Sequence, residues 1–165
     1  MKPLFLATIV AALTAWPAVA GADAPDVPGD IAVPAGNDLA LVAHAVGVQI
    51  YACDGTAWTL VAPRANLYNN GGRLIATHFA GPTWQATDGS TVVGKKLKGV
   101  HVDPTAIDWL LLSATSSGPG RLAGTTYVQR IHTAGGVPPA ASTCTAPGIQ
   151  AEVPYTADYV FWKAA

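Results

Sequence analysis

From residue 39 onward, short apolar runs alternate with clusters of Gly, Pro, Asn and Asp. The runs have the length and residue types of β-strands, and the clusters between them are typical turn sequences. Over residues 48–53 the side-chain character has a period of two, which places Gln49, Tyr51 and Cys53 on one face of a strand. The pattern therefore predicts an all-β chain rather than a helical one.

Three dipeptides mark turns between these runs: Asp54-Gly55, Asn70-Gly71 and Asp88-Gly89. We expect one strand before Gly47 and a second strand after it. The apolar run Trp109-Leu110-Leu111-Leu112 fits either a central strand or a short helix. Residues 137–154 are predicted to form a long loop, and residues 159–162 the last strand. About eight or nine short strands at this spacing predict an antiparallel β-sandwich or barrel.

The first twenty residues have the three parts of a secretory signal peptide. Lys2 is followed by an uncharged apolar stretch, and Ala18-Val19-Ala20 is a small-x-small cleavage site. The apolar stretch is shorter than the roughly 20 residues that a spanning helix needs. We therefore predict a signal peptide at 1–20, an extended lead-in at 21–36 and a single β domain at 37–165. The mature protein is expected to be periplasmic or secreted, without a membrane span.

The two cysteines, Cys53 and Cys144, both lie in the predicted mature chain. An even cysteine count in an exported protein indicates a disulfide. Neither residue belongs to a C-x-x-C pair, which argues against a redox-active pair or a zinc knuckle. We therefore expect a Cys53–Cys144 bridge.

The composition excludes two classes of protein. Charged residues make up 12% and hydrophobic residues 50% of the 165 residues, which is the opposite of a disordered chain. With 9 basic and 10 acidic residues the net charge is -1, so there is no strong field to attract nucleic acid. The one basic cluster, residues 95–98, is interpreted as a solvated strand whose lysines oppose edge aggregation.

Familiar catalytic motifs are missing from the sequence. Residues 118–123 fit G-x-G-x-x-A, but a strand pattern follows where a dinucleotide site needs a helix. There is no G-x-S-x-G and no H-E-x-x-H sequence. The lack of a matched nucleophile, base and acid favours a non-enzymatic binding or surface-interaction module, with no cofactor. We expect its partner to be a small molecule, a glycan or a protein of the cell envelope.

Polar residues inside the apolar strands leave two alternatives open. Three histidines on predicted strands could converge with a carboxylate and bind zinc or copper, in a metal-binding protein or a metal-dependent enzyme. The residues of this set are His44, His78, His132 and Asp158. A weaker alternative is a hydrolase that uses Asp88, Asp158 or His78 in a cleft lined by Trp84. Trp84 follows Gly81-Pro82 in a predicted loop, where it could be an exposed ligand platform.

Several stretches together resemble one family. They are residues 33–51, residues 77–84 with 88–90, residues 126–136 and the tail at residues 153–159. The chain is similar to a secreted bacterial and fungal family known as domain of unknown function three-four-five-five. The resemblance implies a secreted, β-rich protein without an established activity.

Some fungal members of that family carry a malate dehydrogenase label, which this sequence does not support because it lacks a credible dinucleotide site. The polar positions typical of the family fall on residues that we take as candidate ligand-binding residues. They are His44, Gln49, Tyr51, His78, Trp84, Gln129 and Arg130.

Overall fold

A computed structural model describes residues 24–165, and this part of the chain folds into an antiparallel β-barrel. Each strand pairs with the next along the chain, and the last strand pairs with the first, so the sheet closes. The strands are β1 (Asn37–Cys53), β2 (Trp58–Tyr68), β3 (Leu74–Phe79), β4 (Thr83–Ala86), β5 (Thr91–Val100), β6 (Trp109–Ser117), β7 (Thr125–Gly135) and β8 (Gln150–Ala164). The all-β prediction is confirmed, and of its two forms the structure is the barrel.

The predicted break at Gly47 is wrong, because β1 runs through this glycine without interruption. A Cβ atom at position 47 would lie 2.2 Å from the carbonyl oxygen of Arg64 and 2.5 Å from Cα of Ala65. Glycine is therefore needed here for a close approach between β1 and β2, not for a turn.

The last strand is longer than the sequence suggests. It begins at Gln150, so the end of the predicted loop at 137–154 belongs to β8. Pro154 lies inside this strand opposite Val48, and its carbonyl oxygen accepts a hydrogen bond from the backbone N–H of Gly136 (2.9 Å). The apolar run that begins at Trp109 is a strand, β6, and not a helix.

Two apolar clusters lie on the two sides of the barrel wall. The inner cluster includes Trp84, Val128 and Phe161 and fills part of the barrel. The outer cluster is built around Ile31, Ile131 and Trp162, where the lead-in covers the wall. Ile31 ends a short 3₁₀ helix, Gly29–Ile31, and is fully buried. In the described part of the lead-in, residues 24–36, the main structural feature is this packing of Ile31 against the outer side of the barrel wall.

The predicted disulfide is present between Cys53 and Cys144. It ties the connection between β7 and β8 to the end of β1. No helix within residues 24–165 is long and apolar enough to cross a membrane. The predicted signal peptide, residues 1–20, lies outside the described residues.

Candidate functional site

The barrel wall has a lateral opening beside the hairpin of β3 and β4. These strands have only 6 and 4 residues, whereas β1 has 17. β2 pairs with β3 only from Ala65 to Tyr68, so residues 58–64 pair with β1 alone. On the other side, β5 pairs with β4 only over residues 91–93. The hairpin is thus too short to fill the wall between β2 and β5.

A cavity of about 240 Å³ lies behind this opening. Every strand contributes to the lining, and β2 does so with four consecutive residues, 60–63, at the opening. One lining residue from each of β1 to β8, in that order, is Gln49, Leu60, His78, Trp84, Lys96, Leu112, Arg130 and Tyr159. The lining is mainly apolar, with a few polar groups that point to one space, which is the usual character of a ligand pocket.

Two stacked rings form one wall of the cavity. The rings of His78 and Trp84 lie 4.5 Å apart at an interplanar angle of 6°, and Tyr159 packs edge-on against both, at 5.0 and 5.3 Å. Trp84 is 1% exposed and lies in β4, so the prediction of an exposed loop residue is wrong. The turn at residues 80–82 is short, and the chain returns to an extended conformation at Thr83.

His78 is neutral at physiological pH. Burial lowers the pKa of its imidazole to about 4, against the opposing effect of a hydrogen bond to the Thr83 carbonyl oxygen. That bond is 2.8 Å long and is made by Nδ1, which therefore carries the proton. Nε2 of the neutral ring is then a hydrogen-bond acceptor.

Two buried polar atoms on the cavity wall have no hydrogen-bond partner among residues 24–165. They are Oε1 of Gln49 and Nε1 of Trp84, and both side chains are 1% exposed. Most buried polar groups in proteins are hydrogen-bonded, because an unpaired one costs about 1–3 kcal/mol. An acceptor and a donor without a partner among these residues are therefore buried in the wall of the barrel interior.

Two cationic side chains also line the cavity. Arg130 comes from β7 and Lys96 from β5, on either side of β6. Nε and Nη2 of Arg130 donate to the backbone carbonyl oxygen of Asp108, at 3.1 and 2.8 Å. Burial raises the pKa of Tyr159 in the same wall, and the charge of Arg130 opposes that rise.

Of the seven candidate ligand-binding residues, the structure brings four to the cavity: Gln49, His78, Trp84 and Arg130. The Tyr51 hydroxyl is inside the barrel and donates to the carbonyl oxygen of Gly136 (2.6 Å). Gln129 is on the outer side of the wall. Its Nε2 donates to the Ile31 carbonyl oxygen (2.7 Å), and its Oε1 accepts from Trp162 Nε1 (2.8 Å).

His44, the seventh candidate, forms a cluster on the barrel exterior with two residues of the predicted metal set. Nδ1 of His44 and Nδ1 of His132 contact the two oxygens of Asp158, at 2.6 and 2.9 Å. His44 also contacts Oδ1 of Asn70 through Nε2 (2.8 Å). The hydrogen bonds to Asn70 and then to Asp158 raise the pKa of His44.

His78 is not part of this exterior cluster, because it faces the barrel cavity. In the described part of the chain, no group of three or more His, Cys, Asp or Glu side chains is arranged to hold a metal ion. The zinc or copper alternative therefore stays a prediction, and the structure supplies only part of the residue set on which it depended.

The residues of the hydrolase alternative lie in different surroundings. Asp88 accepts hydrogen bonds from Ser90 and from the backbone N–H of Arg121, and these bonds lower its pKa to about 2. Asp158 is engaged by the exterior histidines, and His78 bonds to Thr83. The hydrogen bonds of the three side chains therefore do not join them into one catalytic set.

Lys96 and Tyr159 are the main site residues that the sequence analysis missed. Residues 95–98 are exposed, as predicted, but Lys96 also follows buried Val92 and Gly94 at a period of two. That period places all three on the inner face of β5. Tyr159 lies in the predicted last strand, where an isolated tyrosine gives no signal of a cavity.

Fold and cavity together define an antiparallel β-barrel with a small internal cavity. Residues 34–163 match the model of a family described as "Protein of unknown function (DUF3455)", and the chain belongs to that family. Searches of curated proteins and of solved structures found no match. The resemblance noted in the sequence is thus confirmed over nearly the whole β domain.

Proposed function

We propose that this protein is an exported, non-enzymatic binding module that holds a small, largely apolar molecule inside its barrel. The lateral opening connects the cavity to solvent, and leucines from β2 and β6 supply apolar surface. The Cys53–Cys144 disulfide is compatible with an oxidising compartment outside the cytosol. A cavity of about 240 Å³ is below the roughly 300–1,000 Å³ of pockets for drug-sized ligands, which favours a ligand of one or two rings.

The observation that carries the proposal is the unpaired state of Gln49 Oε1 and Trp84 Nε1 at the cavity wall. A barrel selected only for stability would have an apolar residue in place of a buried glutamine without a partner. Both atoms are buried, so a ligand with one donor and one acceptor would satisfy them once the side chains that cover them shift. The glutamine is then kept for binding at a cost in stability.

Two buried glutamines of this chain provide a test with a matched control. Gln49 and Gln129 are each 1% exposed, but both ends of Gln129 are hydrogen-bonded to protein groups. We expect Gln49→Leu to leave the free energy of unfolding unchanged or to raise it by up to about 1 kcal/mol. Gln129→Leu should lower the free energy of unfolding by about 2–4 kcal/mol, because it leaves the Ile31 carbonyl oxygen and the Trp162 indole N–H without hydrogen-bond partners. Urea unfolding of both variants measures the difference.

Binding is measured by calorimetric titration of the mature protein with 2-naphthamide and with 2-naphthoate, and the site is mapped by backbone amide NMR shifts. We expect saturable binding of one molecule per chain, with the shifts at cavity residues. Gln49→Leu should weaken binding of 2-naphthamide about 5- to 10-fold, because the N–H group of the probe loses its acceptor, Oε1 of Gln49. The proposal fails if neither probe binds at millimolar concentration, or if Gln49→Leu destabilises the fold as much as Gln129→Leu.

The metal alternative has a separate test, elemental analysis of the protein purified from its own host. Its support is the shared carboxylate of His44 and His132. Zinc or copper near one atom per chain would favour it, and substoichiometric metal would remove it.

A further inference from the structure

The charges around the cavity are all of one sign. Arg130 and Lys96 line it, and none of the described residues in the lining is an aspartate or a glutamate. His78 in the same wall is neutral and adds no charge of its own. A molecule in this cavity therefore meets a positive potential from two strands.

Arg130 has no ion-pair partner among residues 24–165, where the four pairs join His44, Arg64, His101 and His132 to carboxylates. Its contact with Asp108 is to the backbone carbonyl oxygen, since the Asp108 side chain bonds to His101 (3.0 Å). A guanidinium group has five N–H donors, so donors remain after these two bonds and the side-chain hydrogen bond to Tyr159.

The guanidinium of Arg130 acts on the interior of the barrel rather than on its surface. Its charge opposes the upward pKa shifts of Tyr51, Tyr155 and Tyr159, which burial causes in each phenol. Charges that are partly withdrawn from water are normally paired, because their desolvation is costly. An anion inside the cavity would supply the missing partner.

We infer that the ligand of this cavity is a small apolar monocarboxylate, whose carboxylate contacts Arg130 and Lys96 and whose apolar body packs against Leu60, Leu110 and Leu112. The inference rests on the proposed function and names its ligand class. A carboxylate is planar and matches the fork of a guanidinium group, which a single amide cannot do. The remaining donor and acceptor at Trp84 and Gln49 favour a carboxylate that also carries a hydroxyl group.

The probes 2-naphthoate and 2-naphthamide form a matched pair for this test, because they have the same ring system and differ in charge. We expect 2-naphthoate to bind at least about tenfold more tightly at low salt, and its advantage to shrink between 20 mM and 500 mM NaCl. Naphthalen-2-ylmethylammonium, the cationic counterpart, should bind more weakly than the amide.

Variants then assign the charge effect to residues. Arg130→Met should weaken 2-naphthoate binding by about 10- to 100-fold and leave amide binding within about twofold. Lys96→Met should weaken binding of the carboxylate several-fold. Because Lys96 is exposed, we expect this variant to fold even if Arg130→Met does not. Lys95→Met is the matched control, because Lys95 neighbours Lys96 but does not line the cavity.

Equal binding of the carboxylate and the amide, or full carboxylate binding by Lys96→Met and Arg130→Met, would overturn the anion inference and leave the binding function standing. Absence of binding for all three probes would instead overturn both. Carboxylate selectivity that is lost in Lys95→Met as strongly as in Lys96→Met would place the anion on the barrel exterior, which also contradicts the inference.

Discussion

At the scale of single residues, His78 makes the fold sensitive to acid. The unfolded chain binds a proton on this imidazole near pH 6.5, whereas the folded protein does so only at a pKa of about 4. The contribution of the neutral ring to stability is therefore complete above about pH 6.5 and is lost as the pH falls towards 4. Asp88, with a pKa of about 2, loses its contribution only below this range.

We expect the free energy of unfolding to fall by about 3 kcal/mol between pH 7 and pH 4 because of His78. Urea unfolding across this range for the parent protein and for His78→Gln gives the measurement, and the variant should show a much flatter profile. His44→Gln is the control, and its effect on the pH dependence has the opposite sign. The raised pKa of His44 stabilises the folded protein at low pH, and this stabilisation is lost as the pH rises. Parallel profiles for the parent and His78→Gln would refute this assignment.

Some residue roles could be predicted from the sequence and others could not. The period of two put Gln49 and Tyr51 on one strand face, and both lie inside the barrel. Gln129 and Arg130 are adjacent and so point to opposite sides of the wall. Which of the two faces the cavity depends on where the lead-in packs, and this is a tertiary contact that one strand's sequence does not contain.

At the scale of the strands, the register of β1 depends on Gly47. A methyl group there would meet backbone atoms of β2, which cannot rotate away as a side chain could. We expect Gly47→Ala to lower the free energy of unfolding by about 1–3 kcal/mol, measured by urea unfolding. Gly29→Ala is the control, since nothing lies within 4 Å of a Cβ at that position. A change of less than about 0.5 kcal/mol in both variants would show that β1 and β2 can separate without cost.

Strand boundaries were predicted well where turn residues mark them and poorly elsewhere. The turns at Asp54-Gly55, Asn70-Gly71 and Asp88-Gly89 all connect consecutive strands. Gly47 and Pro154 also have the character of strand breakers, but both lie inside strands. In each case the tertiary surroundings override the local signal. The backbone of β2 comes close to Gly47, and Pro154 lies just past the last β7–β8 pair, Gly135 with Tyr155, where no backbone donor is needed.

At the scale of the whole molecule, the disulfide constrains a large part of the chain. Cys53 and Cys144 are 91 residues apart, and a loop of that length corresponds to about 4.6 kcal/mol in the chain-entropy treatment. We expect the Cys53→Ala/Cys144→Ala double variant to be less stable by about this amount, measured by urea unfolding. Dithiothreitol should reduce the stability of the parent protein to the same level and leave the double variant unchanged. A parent protein as stable with reductant as without it would contradict this expectation.

The cavity itself could not be predicted from the sequence, although the barrel class could. Its opening exists because β3 and β4 are short beside β2 and β5, so it depends on strand lengths at four positions around the barrel. The unpaired atoms of Gln49 and Trp84 become visible only when every neighbour has been placed. Composition and spacing therefore reached the architecture but not the site.

The seam between β1 and β8 has a consequence for biosynthesis. Asn37 pairs with Ala164, so the first strand to leave the ribosome finds this neighbour only when the last strand has been made. Until then, one edge of β1 has free amide and carbonyl groups that any other extended chain can pair with. Contacts between residues so distant in sequence also form slowly. We therefore expect an unfinished chain to be open to pairing with other copies of itself until β8 has been made.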